Sequence, residues 1–72
     1  MVETWEYATV EWLWDTNQIR WNLPGGQEGT APGAHAAVVE TLTRLGHDGW
    51  EAVACSAAGN WLFWTMRRRA GS

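Results

Sequence analysis

Pro32-Gly33-Ala34-His35-Ala36-Ala37-Val38-Val39-Glu40-Thr41-Leu42-Thr43-Arg44-Leu45-Gly46 is the one stretch of this chain that reads as an α-helix. Val38, Val39, Leu42 and Leu45 recur at i, i+1, i+4 and i+7 and form an apolar stripe, with Glu40, Thr43 and Arg44 on the other side. Pro32 suits a first helical turn, and Gly46 after Leu45 is the residue expected at a left-handed stop. Glu40 and Arg44 stand four apart in the favourable acid-to-base order. The pattern predicts a helix from about Pro32 to Leu45.

Toward the N-terminus, Gly25 to Gly33 is glycine, proline and small polar residues, which reads as a loop. Ile19 to Leu23, containing Trp21, reads as a short strand closed by Pro24-Gly25-Gly26. Asp15-Thr16-Asn17-Gln18 has the composition of a hairpin turn, since Asp and Asn bond their own backbone and tolerate turn geometry. Thr4 to Asp15 is rich in β-branched and aromatic residues and reads as a first strand. Its one face presents Trp5, Tyr7, Thr9, Glu11 and Leu13, and the other Glu6, Ala8, Val10, Trp12 and Trp14.

Toward the C-terminus, Gly49 permits a tight reversal and Trp50 is placed to lie across the helix end as a plug. Trp50 to Ser56 alternates Trp50, Ala52, Ala54 against Glu51, Val53, Cys55. Ala57-Ala58-Gly59-Asn60 turns the chain, and Trp61 to Arg68 closes the domain with Trp61, Phe63 and Thr65 opposite Leu62, Trp64 and Met66. The expectation is a two-layer α+β domain, a four-stranded antiparallel sheet with one helix, in the order β-β-α-β-β. One helix covers one face of such a sheet. The first and last strands are apolar on both faces, so the second face is expected to meet a partner, most simply another copy of the chain, either sheet to sheet about a two-fold axis or through edge strands paired into a larger sheet.

With 72 residues there is room for one domain. A chain of this size buries only about 60% of the surface it exposes when unfolded. Cys55 is alone, so no disulfide can form within the chain, and Cys55, His35 and His47 lack the spacing of a zinc site. No metal and no cofactor is expected. Dense packing and homo-oligomerisation remain as sources of stability. Met1-Val2-Glu3-Thr4-Trp5-Glu6 does not resemble a secretory signal, and no run of 18 apolar residues occurs, so the expectation is a cytoplasmic protein with no membrane span. The formal charge of −3 and the absence of lysine argue against nucleic acid as a partner. Arg67-Arg68-Arg69 reads as a solvated end.

Seven tryptophans in so short a chain exceed what one small core needs. Some must fill the core, Trp50 among them. The surplus suits a subunit interface, where tryptophan is enriched. It also suits a site that stacks a hydrophobic or aromatic small molecule. Trp12, Trp14, Trp21, Trp61 and Trp64 are the candidate lining.

Candidates for chemistry are few. His47-Asp48 is a neighbour pair in a turn, whose side chains diverge more often than they converge. Cys55 on a strand reads as a buried small hydrophobe. Glu6, Glu11 and Glu51 are strand acids that no spacing pairs. No catalytic residue is assigned, and the leading function is a non-enzymatic, self-assembling domain. The alternative is a small oligomeric enzyme using Glu11, Glu51 or His47 as acid or base in an inter-subunit aromatic cavity. Gly25, Gly26 and Gly29 lack the spacing and the lysine of a phosphate loop.

Trp5-Glu6-Tyr7 and Leu45-Gly46-His47-Asp48-Gly49-Trp50-Glu51-Ala52-Val53 resemble a short bacterial family, the domain of unknown function 4177. That family opens on an aromatic-Glu-Tyr strand, ends its helix in Leu-x-x-x-Gly, continues Gly-Trp-Glu-Leu-Val, and closes on a strand with basic residues, as Arg67 and Arg68 do here. Ala52 stands in place of the family's leucine, and the hairpin around Trp12, Trp14 and Trp21 is richer in tryptophan. The resemblance implies no catalytic residues.

Overall fold

A computed structural model describes residues 4–59 and 61–70 of the chain. Strands β1 (Trp5–Leu13), β2 (Gln18–Leu23) and β3 (Gln27–Pro32) precede the helix α1 (His35–His47), and β4 (Glu51–Ala58) and β5 (Trp61–Arg69) follow it. The five strands form one antiparallel sheet in the order β3-β2-β1-β5-β4. The class is α+β with one helix among the described residues, as the sequence predicts. The strand count and order differ from expectation: there are five strands in the order β-β-β-α-β-β.

The additional strand is β3, lying in the stretch that reads as loop. Gly25 and Gly26 both adopt positive φ, 82° and 76°, and turn the chain straight back so that Leu23 pairs with Gln27. Gly29 then sits opposite Trp21, and a Cβ at Gly29 would lie 2.5 Å from Trp21 Cε2 and Cζ2. The glycine is the seat of the indole, so a residue that looks like a breaker is what admits the pairing. Pro32 belongs to this edge strand, opposite Gln18, rather than to the first turn of the helix.

The helix therefore starts later than predicted, at His35, and runs through Gly46. The left-handed residue is Gly49, with φ 92°. The amides of Asp48 and Trp50 both donate to the Leu45 carbonyl, at 2.9 and 3.1 Å, which closes the helix end and folds Trp50 back over it. Trp50 is buried, as its place at the helix end predicts.

Register sorts the side chains. Val10 lies opposite Trp21 and Trp64, and Trp12 opposite Ile19 and Leu62, so these share the helix-covered face. Val38, Thr41 and Leu45 of α1 pack down on that face, and Ala8, Val10, Trp12, Ile19, Trp50 and Met66 complete the core. The Thr41 hydroxyl donates to the Ala37 carbonyl at 2.8 Å, which satisfies the one buried polar side chain of the helix. On β4 the predicted alternation fails at one point. Ala52 pairs with Met66 but Ala54 with Thr65, so Val53 is a bulge and Ala52 and Ala54 do not share a face. Of the expected turn Ala57 to Asn60, Ala57 and Ala58 extend the strand, and Asn60 lies outside the described residues, as do Met1 to Glu3.

Candidate functional site

The sheet presents its uncovered face through the odd-numbered residues of β1 and β5. Trp5 pairs with Arg69, Tyr7 with Arg67, Glu11 with Phe63 and Leu13 with Trp61, and all of these side chains point away from the helix. Two aromatic groups result. At one end Trp61 and Phe63 pack ring to ring with centroids 5.2 Å apart. At the other, the Arg67 guanidinium lies over the Trp5 ring at 4.2 Å and that of Arg69 at 5.9 Å, and Tyr7 beside them is 58% exposed.

Among the described residues, the ionic groups of this face balance. Register places Glu11, Glu28 and Glu51 on it, and Arg20, Arg67 and Arg69 with them. Three carboxylates and three guanidiniums sum to zero formal charge. Glu11 meets Arg20 at 3.9 Å, and Glu51 meets Arg67 Nε at 2.9 Å.

The five tryptophans expected to line one site are not gathered together. Trp12, Trp21 and Trp64 lie on the helix-covered face, with Trp12 buried and the other two packed against the core. Trp21 is held between Gly29 and the Arg44 guanidinium, which stands 5.7 Å from its ring. Trp14 lies just beyond β1, edge-on to Trp12 at 5.8 Å, and is partly exposed. Trp61 alone of the five is on the uncovered face. Trp5, outside the expected lining, joins it there. Residue parity along β1 carries that information, because Trp5 and Leu13 share a face that Trp12 does not.

Trp12 has a further property. Its Nε1 is buried with no acceptor among the described residues, and its ring meets that of His35 edge-on at 4.6 Å. Two depressions are polar and open. One, of about 370 Å³, is lined by Arg20, Glu28, Gly29 and Thr30. The other includes Glu6, Leu23, Asp48, Trp50 and Arg68.

The candidates for chemistry are dispersed. Glu6, Glu11 and Glu51 are each held by an arginine, Glu6 by Arg68 Nε at 2.8 Å, Glu11 by Arg20 and Glu51 by Arg67. His47 is exposed in the last helical turn, and no cluster of three metal-ligating side chains occurs among the described residues. Cys55 is exposed on β4, contrary to its reading as a buried hydrophobe, because the helix does not reach that strand. The arginine run is not a free end either. Arg68 bonds Glu6, donates from Nη1 to the Asp48 carbonyl at 3.0 Å, and lies 4.4 Å from the Trp50 ring centre.

No family model, curated protein or solved structure matches the chain. Glu6 of β1 and Asp48 and Trp50 beyond the helix end converge on Arg68.

Proposed function

We propose that this protein is a non-enzymatic, self-assembling module whose uncovered sheet face is a subunit interface. The observation that carries this reading is the composition of that face. Trp5, Tyr7, Leu13, Trp61 and Phe63 lie on it, no described element packs over it, and its ionic groups cancel. Two copies related by a two-fold axis would bring apolar groups together without a like-charge barrier. The arginine held on each strand acid favours a structural over a catalytic role for Glu6, Glu11 and Glu51. Trp61 with Phe63 offers the platform on which a flat hydrophobic or aromatic small molecule would stack. The likeness to the domain of unknown function 4177 belongs to this proposal and adds no activity to it. No described helix is long and apolar enough to cross a membrane, and a reducing cytoplasm would keep the exposed Cys55 thiol free.

Native mass spectrometry of the purified protein tests the reading. The expected spectrum shows a defined oligomer at micromolar concentration, and the double variant Trp61→Thr, Phe63→Thr shifts it to a smaller species while keeping its far-ultraviolet circular dichroism. An additional bound mass would identify a stacked small molecule. A wild-type monomer, or a double variant that assembles as the wild type does, overturns the interface.

A further inference from the structure

We infer that β4 is a second association surface, pairing edge to edge and antiparallel with β4 of another copy. This deepens the self-assembly proposed above and uses a different part of the molecule. A sheet edge presents unpaired N–H and C=O groups that another strand can satisfy, and proteins that remain single protect such edges. The two edges here are treated differently. At β3, Pro32 lacks an amide hydrogen, Glu28 adds a charge, and Trp21 lies over Gly29. At β4 the one such device is the bulge at Val53, close to the Glu51 end; the run Ala54 to Ala58 has no bulge, no charge and no proline. The strand's only charge, Glu51, is at one end and is neutralised by Arg67.

All eight residues of β4 are exposed, and apart from Glu51 and the bulged Val53 they are small: Ala52, Ala54, Cys55, Ser56, Ala57 and Ala58. The small side chains let a second backbone approach without collision.

The occupant that fits is the same strand. An antiparallel copy related by a two-fold axis presents the same free backbone groups in reverse order, so one satisfies the other. It also keeps the two Glu51 side chains at opposite ends of the pair, about 20 Å apart at the usual rise per strand residue. The pairing would join two five-stranded sheets into one.

Strand pairing alone falls short of the roughly 800 Å² per partner of a standard interface. The helix supplies the rest of the apolar surface. Arg44 over Trp21 and Ala37 against Gly33 turn one flank of α1 toward β2. Val39, on the opposite flank by helical geometry, is 64% exposed, and Val53 on β4 is 46% exposed.

Cys55 makes the proposal testable without engineering, because it lies at the middle of β4 and on the helix side, opposite Trp64. In the proposed pair the two thiols lie near the symmetry axis. In a pair formed through the uncovered face they are held on opposite outer surfaces. Treatment of the native oligomer with a short bismaleimide is expected to give a covalent dimer through Cys55, abolished by Cys55→Ser and by unfolding the protein first. Cys55→Lys is expected to leave the circular dichroism unchanged, since Cys55 is exposed, while halving the native mass by setting two cations at the axis. Crosslinking that persists in the Trp61→Thr, Phe63→Thr variant supports the edge independently of the face. An uncrosslinkable wild-type oligomer, or a Cys55→Lys protein of unchanged mass, overturns edge pairing and leaves the uncovered face standing. A wild-type monomer removes both.

Discussion

The two halves of this sheet are built from similar backbone and end in opposite conditions. Under the helix, Val10 and Ile19 are fully buried and Trp12 nearly so, whereas every residue of β4 is exposed. Width explains the difference. Five strands about 4.8 Å apart span roughly 19 Å, and one helix with its side chains is about 10 to 12 Å across. α1 sits over β1 and β2, where Trp12, Ile19 and Trp21 provide volume, and its reach ends before β4. The side chains follow that reach: large where the helix packs, mostly alanine where it does not. The covered half holds the fold, and the bare half is free to take part in association.

The sharpest test of that division is a large-to-small substitution in each half. Ile19→Ala removes packing from a fully buried site, and comparable changes cost about 2 to 5 kcal/mol. In a domain with so little margin the variant is expected to lose most of its folded population on mild heating. Val53→Ala in β4, at a residue 46% exposed, is expected to stay within about 1 kcal/mol of wild type. Chemical denaturation of both at one protein concentration reads the contrast, and equal costs would mean that the helix does not define the core.

A smaller effect is expected at Gly29, on the seam between the covered half and the guarded edge. Gly29→Ala puts a methyl group 2.5 Å from the Trp21 ring atoms, so the indole must leave its seat. Overpacking of this kind costs about 1 to 3 kcal/mol. The indole N–H resonance of Trp21, assigned through Trp21→Phe, should move. A folded variant with that resonance unchanged would mean that Trp21 does not rest on Gly29 and that β3 is held by something else.

Gly29 also shows where sequence reading reaches its limit. The helix, the first hairpin and both C-terminal strands are legible because their signals are local: apolar spacing, turn residues, alternation. Gln27 to Pro32 has no such signal. Its strand character comes from two left-handed glycines that reverse the chain and from an indole that needs a residue without a side chain, and both are facts of pairing. Pro32 is ambiguous for the same reason, since proline suits a first helical turn and an edge strand alike. The left-handed stop falls at Gly49 rather than Gly46, the two glycines that flank His47 and Asp48, because helix length is set by where Leu45 and Trp50 meet the core. For the tryptophans, parity separates Trp5 and Trp61 from Trp12, Trp21 and Trp64. Which of the two faces receives the helix is a tertiary fact, and it divides the expected aromatic lining between core and surface.

The smallest contrast lies between neighbouring arginines at the end of β5. Arg68 joins Glu6, the Asp48 carbonyl and the Trp50 ring, tying β1, β5 and the helix end at one group. Arg67 holds Glu51 on the uncovered face, with both side chains well exposed, at 38% and 58%. Hydrogen bonds from a charged donor contribute about 1.5 to 3 kcal/mol when shielded, and the 35% exposure of Arg68 lowers that to about 1 to 2. An exposed pair such as Arg67 with Glu51 contributes about 0 to 1 kcal/mol. Arg68→Gln is therefore expected to destabilise more than Arg67→Gln, and to quicken amide exchange at Trp50, whose N–H closes the helix end. Equal costs with unchanged exchange at Trp50 would show that the convergence on Arg68 is geometric and carries no stability. A larger cost for Arg67 would instead locate the stabilising contact on the uncovered face, where a second copy could bury it.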